Sequence, residues 1–162
     1  MRILLALALV ALAAPAQADP TVLDAFESVD GWEARPADGV ELKLGTTDSF
    51  DGGSLRLDFR FVKGGGYAVI HKKFDFNLPP NYRFRFRVRG ESPSENLEFK
   101  LIDSTGENVW WNNHRDFVFP VAWDSVTLRK RHITFAWGPE GGGEIHHVQA
   151  IEFAITAGSG GS

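Results

Sequence analysis

The chain has 162 residues, with 17 Lys and Arg against 21 Asp and Glu, a net charge of −4 and no cysteine. Disulfides and thiolate metal sites are therefore excluded, and the acidic balance argues against nucleic acid as the main partner. Thirteen Phe and five Trp beside a single Met point to a rigid aromatic core, and 17 Gly with 8 Pro supply its turns.

Met1-Arg2 makes a positive start, Ile3 to Ala14 is an apolar run, and Ala16-Gln17-Ala18 fits a small-x-small cleavage site. This is the pattern of a secretory signal peptide over 1–18, too short for a mature membrane span. No later apolar run is long enough to span, so the expectation is a secreted or periplasmic protein without membrane insertion. One domain is expected over 19–156, followed by a Gly/Ser tail over 157–162.

Val22 to Glu27 reads as a first strand, ahead of the Asp30-Gly31 turn and Trp32, and Glu41 to Leu44 reads as a second. Thr46 to Gly53 is dense in turn formers. Ser54 to Val62 then alternates, with Leu55, Leu57, Phe59 and Phe61 on one side and Arg56, Asp58 and Arg60 on the other. Tyr67 to Phe76 follows the break at Gly64 to Gly66. Tyr82 to Arg89 alternates most cleanly: Tyr82, Phe84, Phe86 and Val88 face inward, and Arg83, Arg85, Arg87 and Arg89 outward. Asn96 to Asp103 and Asn108 to Phe119 flank the turn Ser104 to Glu107 and predict a hairpin. Asp124 to Trp137 is long for one strand and is expected to bend near Arg131-His132. Glu144 to His147 suggests one helical turn, and Gln149 to Thr156 a final apolar strand. About nine strands with little helix define an all-β fold, a two-sheet antiparallel sandwich.

Four of the five tryptophans, Trp110, Trp111, Trp123 and Trp137, fall between Asn96 and Trp137. Trp110 and Trp111 are adjacent, so on a strand they point to opposite faces and only one can enter the core. An exposed indole beside Asn113 and Arg115 has the chemistry of a sugar-stacking site, since the C–H faces of sugars pack on indoles and polar side chains take the hydroxyls. The other reading is that both tryptophans are packing residues beside a turn. The arginine comb offers a similar choice. Arg85 and Arg87, with Lys100, would suit an anionic glycan, whereas cross-strand ion pairs with Asp58, Glu98 and Glu152 would make the comb an ordinary solvated face. No HExxH, GxSxG or Gly-rich phosphate loop is present, and no carboxylate pair stands in a recognisable glycosidase context, so no enzyme is expected.

Several stretches together resemble a known family. These are Asp24-Ala25-Phe26-Glu27 with Gly31-Trp32, Gly53-Ser54-Leu55-Arg56-Leu57, the run from Tyr82 to Gly90, and the block from Asn96 to Trp137. Their order resembles the galactose-binding-like jelly-roll carbohydrate-binding modules, family 11 and related modules, and the similar domain placed ahead of discoidin-type domains in secreted bacterial polysaccharide-binding proteins. The resemblance implies a non-catalytic module that binds polysaccharide or oligosaccharide within a larger carbohydrate-active or adhesion protein. It also implies a structural Ca²⁺, for which Glu27, Asp48 and Asp51 match the expected places; oxygen ligands of this kind are what Ca²⁺ requires. Such modules commonly end in a further strand, where this sequence reads Gly158-Ser159-Gly160-Gly161-Ser162. Either the polypeptide continues, or the sandwich closes without that strand. The alternative to a glycan module is an envelope structural or protein-interaction sandwich with no glycan site.

Overall fold

A computed structural model describes residues 20–49 and 52–157. The expected signal peptide, Asp51 and the tail from 158 lie outside the described residues. The elements, in chain order, are β1 (Trp32–Ala34), β2 (Val40–Ser49), β3 (Gly52–Phe61), β4 (Tyr67–Asn77), β5 (Arg83–Val88), β6 (Glu95–Ile102), β7 (Val109–Phe117) and β8 (Asp124–Arg129). A 3-10 turn at Lys130–His132 leads to β9 (Thr134–Trp137), and β10 (His147–Thr156) closes the series. No helix among the described residues is long and apolar enough to cross a membrane.

The strands form a two-layer antiparallel sandwich. One layer is a six-stranded sheet in the order β1-β4-β10-β6-β7-β9; the other consists of two hydrogen-bonded pairs, β2-β3 and β5-β8. Alternation sets what fills the space between them. Phe84 and Phe86 of β5, with Val126 and Leu128 of β8, pack on Phe99, Leu101, Trp110, Ile151 and Phe153 of the large sheet. Phe86 lies 5.0 Å from Phe153 and Phe84 lies 5.0 Å from Phe99, centroid to centroid. Leu42, Leu57, Phe59 and Phe61 of the other pair pack with Val40, Ala68 and Ile155. Burying such side chains is worth about 1.5–3 kcal/mol each, which is why the aromatic alternation prevails over local propensity.

Three expectations are corrected. Val22 to Glu27 forms no strand, because the Asp24 carboxylate turns the backbone on itself. Its Oδ1 accepts from the Phe26 N–H at 2.7 Å, Phe26 takes φ 59°, and Oδ2 accepts from Lys72 Nζ at 2.6 Å. The turn-rich stretch from Thr46 to Gly53 is mostly strand, paired from Thr46↔Leu55 to Ser49↔Gly52. The segment at Glu144 to His147 contains no helical turn: Ile145 is buried in the core and His147 already pairs with Asn77. The bend after Arg129 and the hairpin of β6 and β7 are as expected.

The tip of that hairpin is tied down by side chains. Asp103 Oδ1 accepts from the Thr105 N–H and Oγ1 at 3.1 and 2.6 Å, and Oδ2 accepts from Asn108 Nδ2 at 2.8 Å. Asn108, fully buried, passes the connection on by accepting from the Glu140 N–H at 2.8 Å. Burial raises the Asp103 carboxyl, but the hydrogen bonds from Thr105 and Asn108 outweigh it and hold the group below the usual carboxylate range.

Candidate functional site

Antiparallel register places the outward side chains of the large sheet in transverse rows. One row runs Glu33, His71, Glu152, Lys100, Trp111 across β1, β4, β10, β6 and β7. The next runs Val69, Ala154, Glu98, Asn113, and a third Tyr67, Thr156, Asn96. Trp137 extends the row of Val109 on the first row's other side. A shallow depression of about 590 Å³ lies over this face, lined by Arg35, Tyr67, Glu98, Lys100, Trp111 and Trp137 among others.

Its aromatic end is a pair of indoles. Trp111 and Trp137 meet edge to face, with centroids 5.6 Å apart and planes at 82°. Trp137 is 47 % exposed, and at the other end of the depression Tyr67 is 48 % exposed. The two exposed rings are three rows apart, roughly 20 Å along the strand direction at two residues per row. That is room for an extended ligand rather than a compact one.

The charges between the rings are satisfied within the protein. Lys100 Nζ lies 3.0 Å from Glu98 Oε2 and 5.4 Å from the Trp137 ring centre. His71 Nδ1 lies 2.9 Å from Glu152 Oε1. Arg35 donates to Glu33 at 2.6 Å, a hydrogen bond that holds the Glu33 carboxyl below its ordinary range. Glu98, Lys100 and His71 are each less than 9 % exposed although they face away from the core. Both cations, Lys100 and Arg35, are thus held by carboxylates of the protein, so the floor suits hydroxyl groups better than a carboxylate or sulfate. One acceptor is left over: Asn113 Nδ2 donates to Glu98 Oε1 at 3.4 Å, while Asn113 Oδ1 is buried without a hydrogen-bond partner. A buried acceptor left unmade costs about 1–3 kcal/mol.

The sequence-predicted residues separate into four groups. Trp111, Asn113 and Lys100 meet on this face. Trp110 does not: it is 4 % exposed, packs 5.3 Å from Phe135, and donates Nε1–H to the Gly143 carbonyl at 2.9 Å. It is a core residue, as the opposite pointing of the pair requires. Arg115 is exposed beyond Asn113 and does not line the depression. Arg85 and Arg87 lie on the other layer, since their strand β5 packs Phe84 and Phe86 inward against the large sheet's inner face. The comb and Lys100 therefore point away from each other, on opposite outer faces of the sandwich. The expected ion pairs of the comb are also displaced. Arg85 and Arg87 stand opposite Thr127 and Ser125, Asp58 pairs with Arg56 at 2.8 Å, and Glu98 and Glu152 belong to the far sheet.

Of the calcium candidates, Glu27 and Asp48 come to the same end of the β2–β3 pair. A side chain on Gly53, which pairs with Asp48, would meet the Glu27 Cα at 2.8 Å, and one on Gly52 would meet Glu27 Oε1 at 3.1 Å. The two glycines thus form a cradle that lets this carboxylate approach the first residues of β3, and carboxylate oxygens are the donors a hard cation takes. Two carboxylates are fewer than the six to eight oxygens Ca²⁺ takes, and Asp51 lies outside the described residues.

Sequence reasoning missed Trp137, Tyr67 and Arg35. Tyr67 begins the outward alternation Tyr67, Val69, His71, and Trp137 closes a four-residue strand. The alternation could have put each on an outer face, but only the sheet order brings them to the same one.

The architecture is that of jelly-roll carbohydrate-binding modules. No family model matches the chain, and no curated protein does. Among solved structures it is similar to the family 11 carbohydrate-binding module of the cellulosomal cellulase Lic26A-Cel5E of Clostridium thermocellum. Identity is 15 %, with a TM-score of 0.63 over 88 % of this chain and 87 % of that one. The Clostridium thermocellum family 11 module in complex with a β-1,3-1,4-mixed-linked tetrasaccharide gives 15 % identity and a TM-score of 0.61, covering 86 % and 87 %. At such identity the likeness establishes the fold.

Proposed function

We propose that the chain is a secreted, non-catalytic polysaccharide-binding module, one part of a larger carbohydrate-active or adhesion protein, and that its glycan lies across the outer face of the six-stranded sheet. The observation that carries this reading is the Trp111–Trp137 pair, set at one end of an elongated depression whose cations are already held by carboxylates, Lys100 by Glu98 and Arg35 by Glu33. An indole presents a flat apolar face to the C–H face of a sugar ring, and Glu98, Lys100 and Glu152 in the lining address its hydroxyls. Because Lys100 and Arg35 are already held by carboxylates, a neutral glycan is favoured over the uronic or sulfated polymer that the arginine comb alone would suggest. The fold shared with carbohydrate-binding modules supports the same class.

Affinity electrophoresis against neutral and anionic polysaccharides tests the proposal. At least one neutral polysaccharide should retard the wild type, and Trp137→Ala should abolish the retardation while leaving the melting curve intact. Failure of every polysaccharide to retard the protein, or undiminished retardation of Trp137→Ala, would refute the site.

A further inference from the structure

The arginine comb, which the glycan site leaves out, has a face of its own. Phe84 and Phe86 of β5, with Val126 and Leu128 of β8, turn into the core, so the alternate positions of both strands point outward and are exposed. Register sets Arg83 opposite Arg129, Arg85 opposite Thr127 and Arg87 opposite Ser125. No carboxylate stands in these three rows. In the neighbouring strand pair Asp58 holds Arg56 and Glu41 holds Arg60, whereas no carboxylate among the described residues holds Arg83, Arg85 or Arg129. Arg87 has a partner and is not counted with them. Like charges directly opposite on paired strands are destabilising, so the Arg83–Arg129 row weakens the protein on its own. It does so in a chain whose net charge is −4, where carboxylates outnumber the cations that they could hold.

We propose that this face is a second ligand site, which takes a linear acidic polysaccharide lying along β5 and β8. Outward residues recur about every 6.6 Å along a strand, so Arg83 and Arg85 meet successive points on an extended chain rather than one compact ion. A planar guanidinium grips a carboxylate or sulfate through two parallel N–H donors, and the hydroxyls of Thr127 and Ser125 beside it address those of the sugar. Other polyanions fit this face less well. Single-stranded nucleic acid needs aromatic faces for its bases, but the rings of β5 are inside and Arg89 lies over Trp123 at 5.1 Å. An acidic peptide adding to a sheet uses the ladder groups of a strand edge, which the face of a pair does not offer. An anionic membrane is held best where basic residues flank inserting apolar ones, and the three rows contain no apolar side chain. The neutral-glycan site is on the outer surface of the six-stranded sheet, across the sandwich, so each site stands without the other.

The test is isothermal titration calorimetry of the full chain with polygalacturonate and with dextran sulfate at physiological ionic strength, together with thermal melts. At least one of the two polymers should bind, and Trp137→Ala should bind it as tightly as the wild type. Arg83→Gln and Arg129→Gln should each weaken binding several-fold, and the two together by more than about tenfold. Arg129→Gln should also leave the melting temperature unchanged or raise it, since it relieves the repulsion with Arg83, whereas an arginine that serves the fold would lower it. Arg60→Gln makes the same change in net charge on the other strand pair and should bind like the wild type, because salt screens charges beyond about 8 Å. Binding of neither polymer, undiminished binding by the Arg83→Gln/Arg129→Gln double variant, or an equal loss in Arg60→Gln would overturn the proposal. So would tighter binding of single-stranded DNA or of phosphatidylglycerol vesicles.

Discussion

Trp110 and Trp111 are neighbours in sequence and opposites in the structure, so truncating each to Ala should produce two unrelated failures. Trp110 is 4 % exposed and wedged against Phe135, and its indole N–H serves the Gly143 carbonyl. Removing a buried Trp costs about 3–5 kcal/mol, a large share of the ~5–15 kcal/mol that holds a domain together. For a domain of this size that corresponds to a fall of roughly 10–20 °C in melting temperature. Trp111 is half-buried on the outer face and supports Trp137 from its edge. Its truncation leaves the core untouched and should cost well under half as much stability, but losing an aromatic anchor of a binding site costs about 2 kcal/mol or more. At about 1.4 kcal/mol per factor of ten, glycan affinity falls more than tenfold. Thermal melts and affinity electrophoresis of both variants, with Trp137→Ala and Asn113→Ala beside them, separate the two effects. Asn113→Ala and Trp137→Ala should follow Trp111→Ala. If Trp111→Ala and Trp110→Ala destabilise alike and neither variant that still folds loses binding selectively, the outer-face indoles are packing residues and the site is wrong.

How far the sequence reveals this arrangement depends on whether a feature is local. The β5 alternation is readable because the side-chain period of a strand is two and one face must be apolar; Phe84 and Phe86 are inside, as that rule demands. The same rule forces Trp110 and Trp111 apart. It cannot say which sheet a strand joins, and there the reading of Lys100 beside the arginine comb fails. β6 pairs with β10 and β7, β5 pairs with β8, and only that long-range pairing puts Lys100 and Arg85 on opposite outer surfaces. Burial on the outer face is similarly hidden. Glu98 and Lys100 look like ordinary solvated positions of a half-buried strand, yet cross-strand neighbours from three other strands cover them. The first segment fails for a local reason instead: Asp24 spends its carboxylate on the Phe26 N–H, an alternative to strand pairing that a propensity reading underweights.

Further consequences can be measured. Because the Asp103 carboxyl lies below its ordinary value of 3.8, its contribution to stability is present above that pH and is lost as pH falls through the folded-state value; Asp103→Asn should flatten the acid limb of the melting-temperature profile, and an unchanged limb would remove Asp103 from the hairpin's support. Adding Ca²⁺ should raise the melting temperature by binding the native state, and Glu27→Ala or Asp48→Ala should abolish the rise; no shift at millimolar Ca²⁺ removes the ion from the account. The strongest test of the outer face concerns Glu98 and Lys100, which lie 3.0 Å apart and are 6 % and 8 % exposed. A surface ion pair is worth about 0–1 kcal/mol, whereas removing one partner of a buried pair strands the other charge at about 3–5 kcal/mol. Glu98→Gln should therefore be costly, and Lys100→Met costlier still, since it also removes the cation from the Trp137 ring. The double variant leaves no charge unpaired, so it should be more stable than the sum of the single losses predicts, with a coupling of about 1 kcal/mol or more in a double-mutant cycle. Additive losses below about 1 kcal/mol each would mean that water reaches both groups. The floor between the aromatic rings would then be an ordinary wet surface, without the preorganised dipoles on which the glycan reading depends.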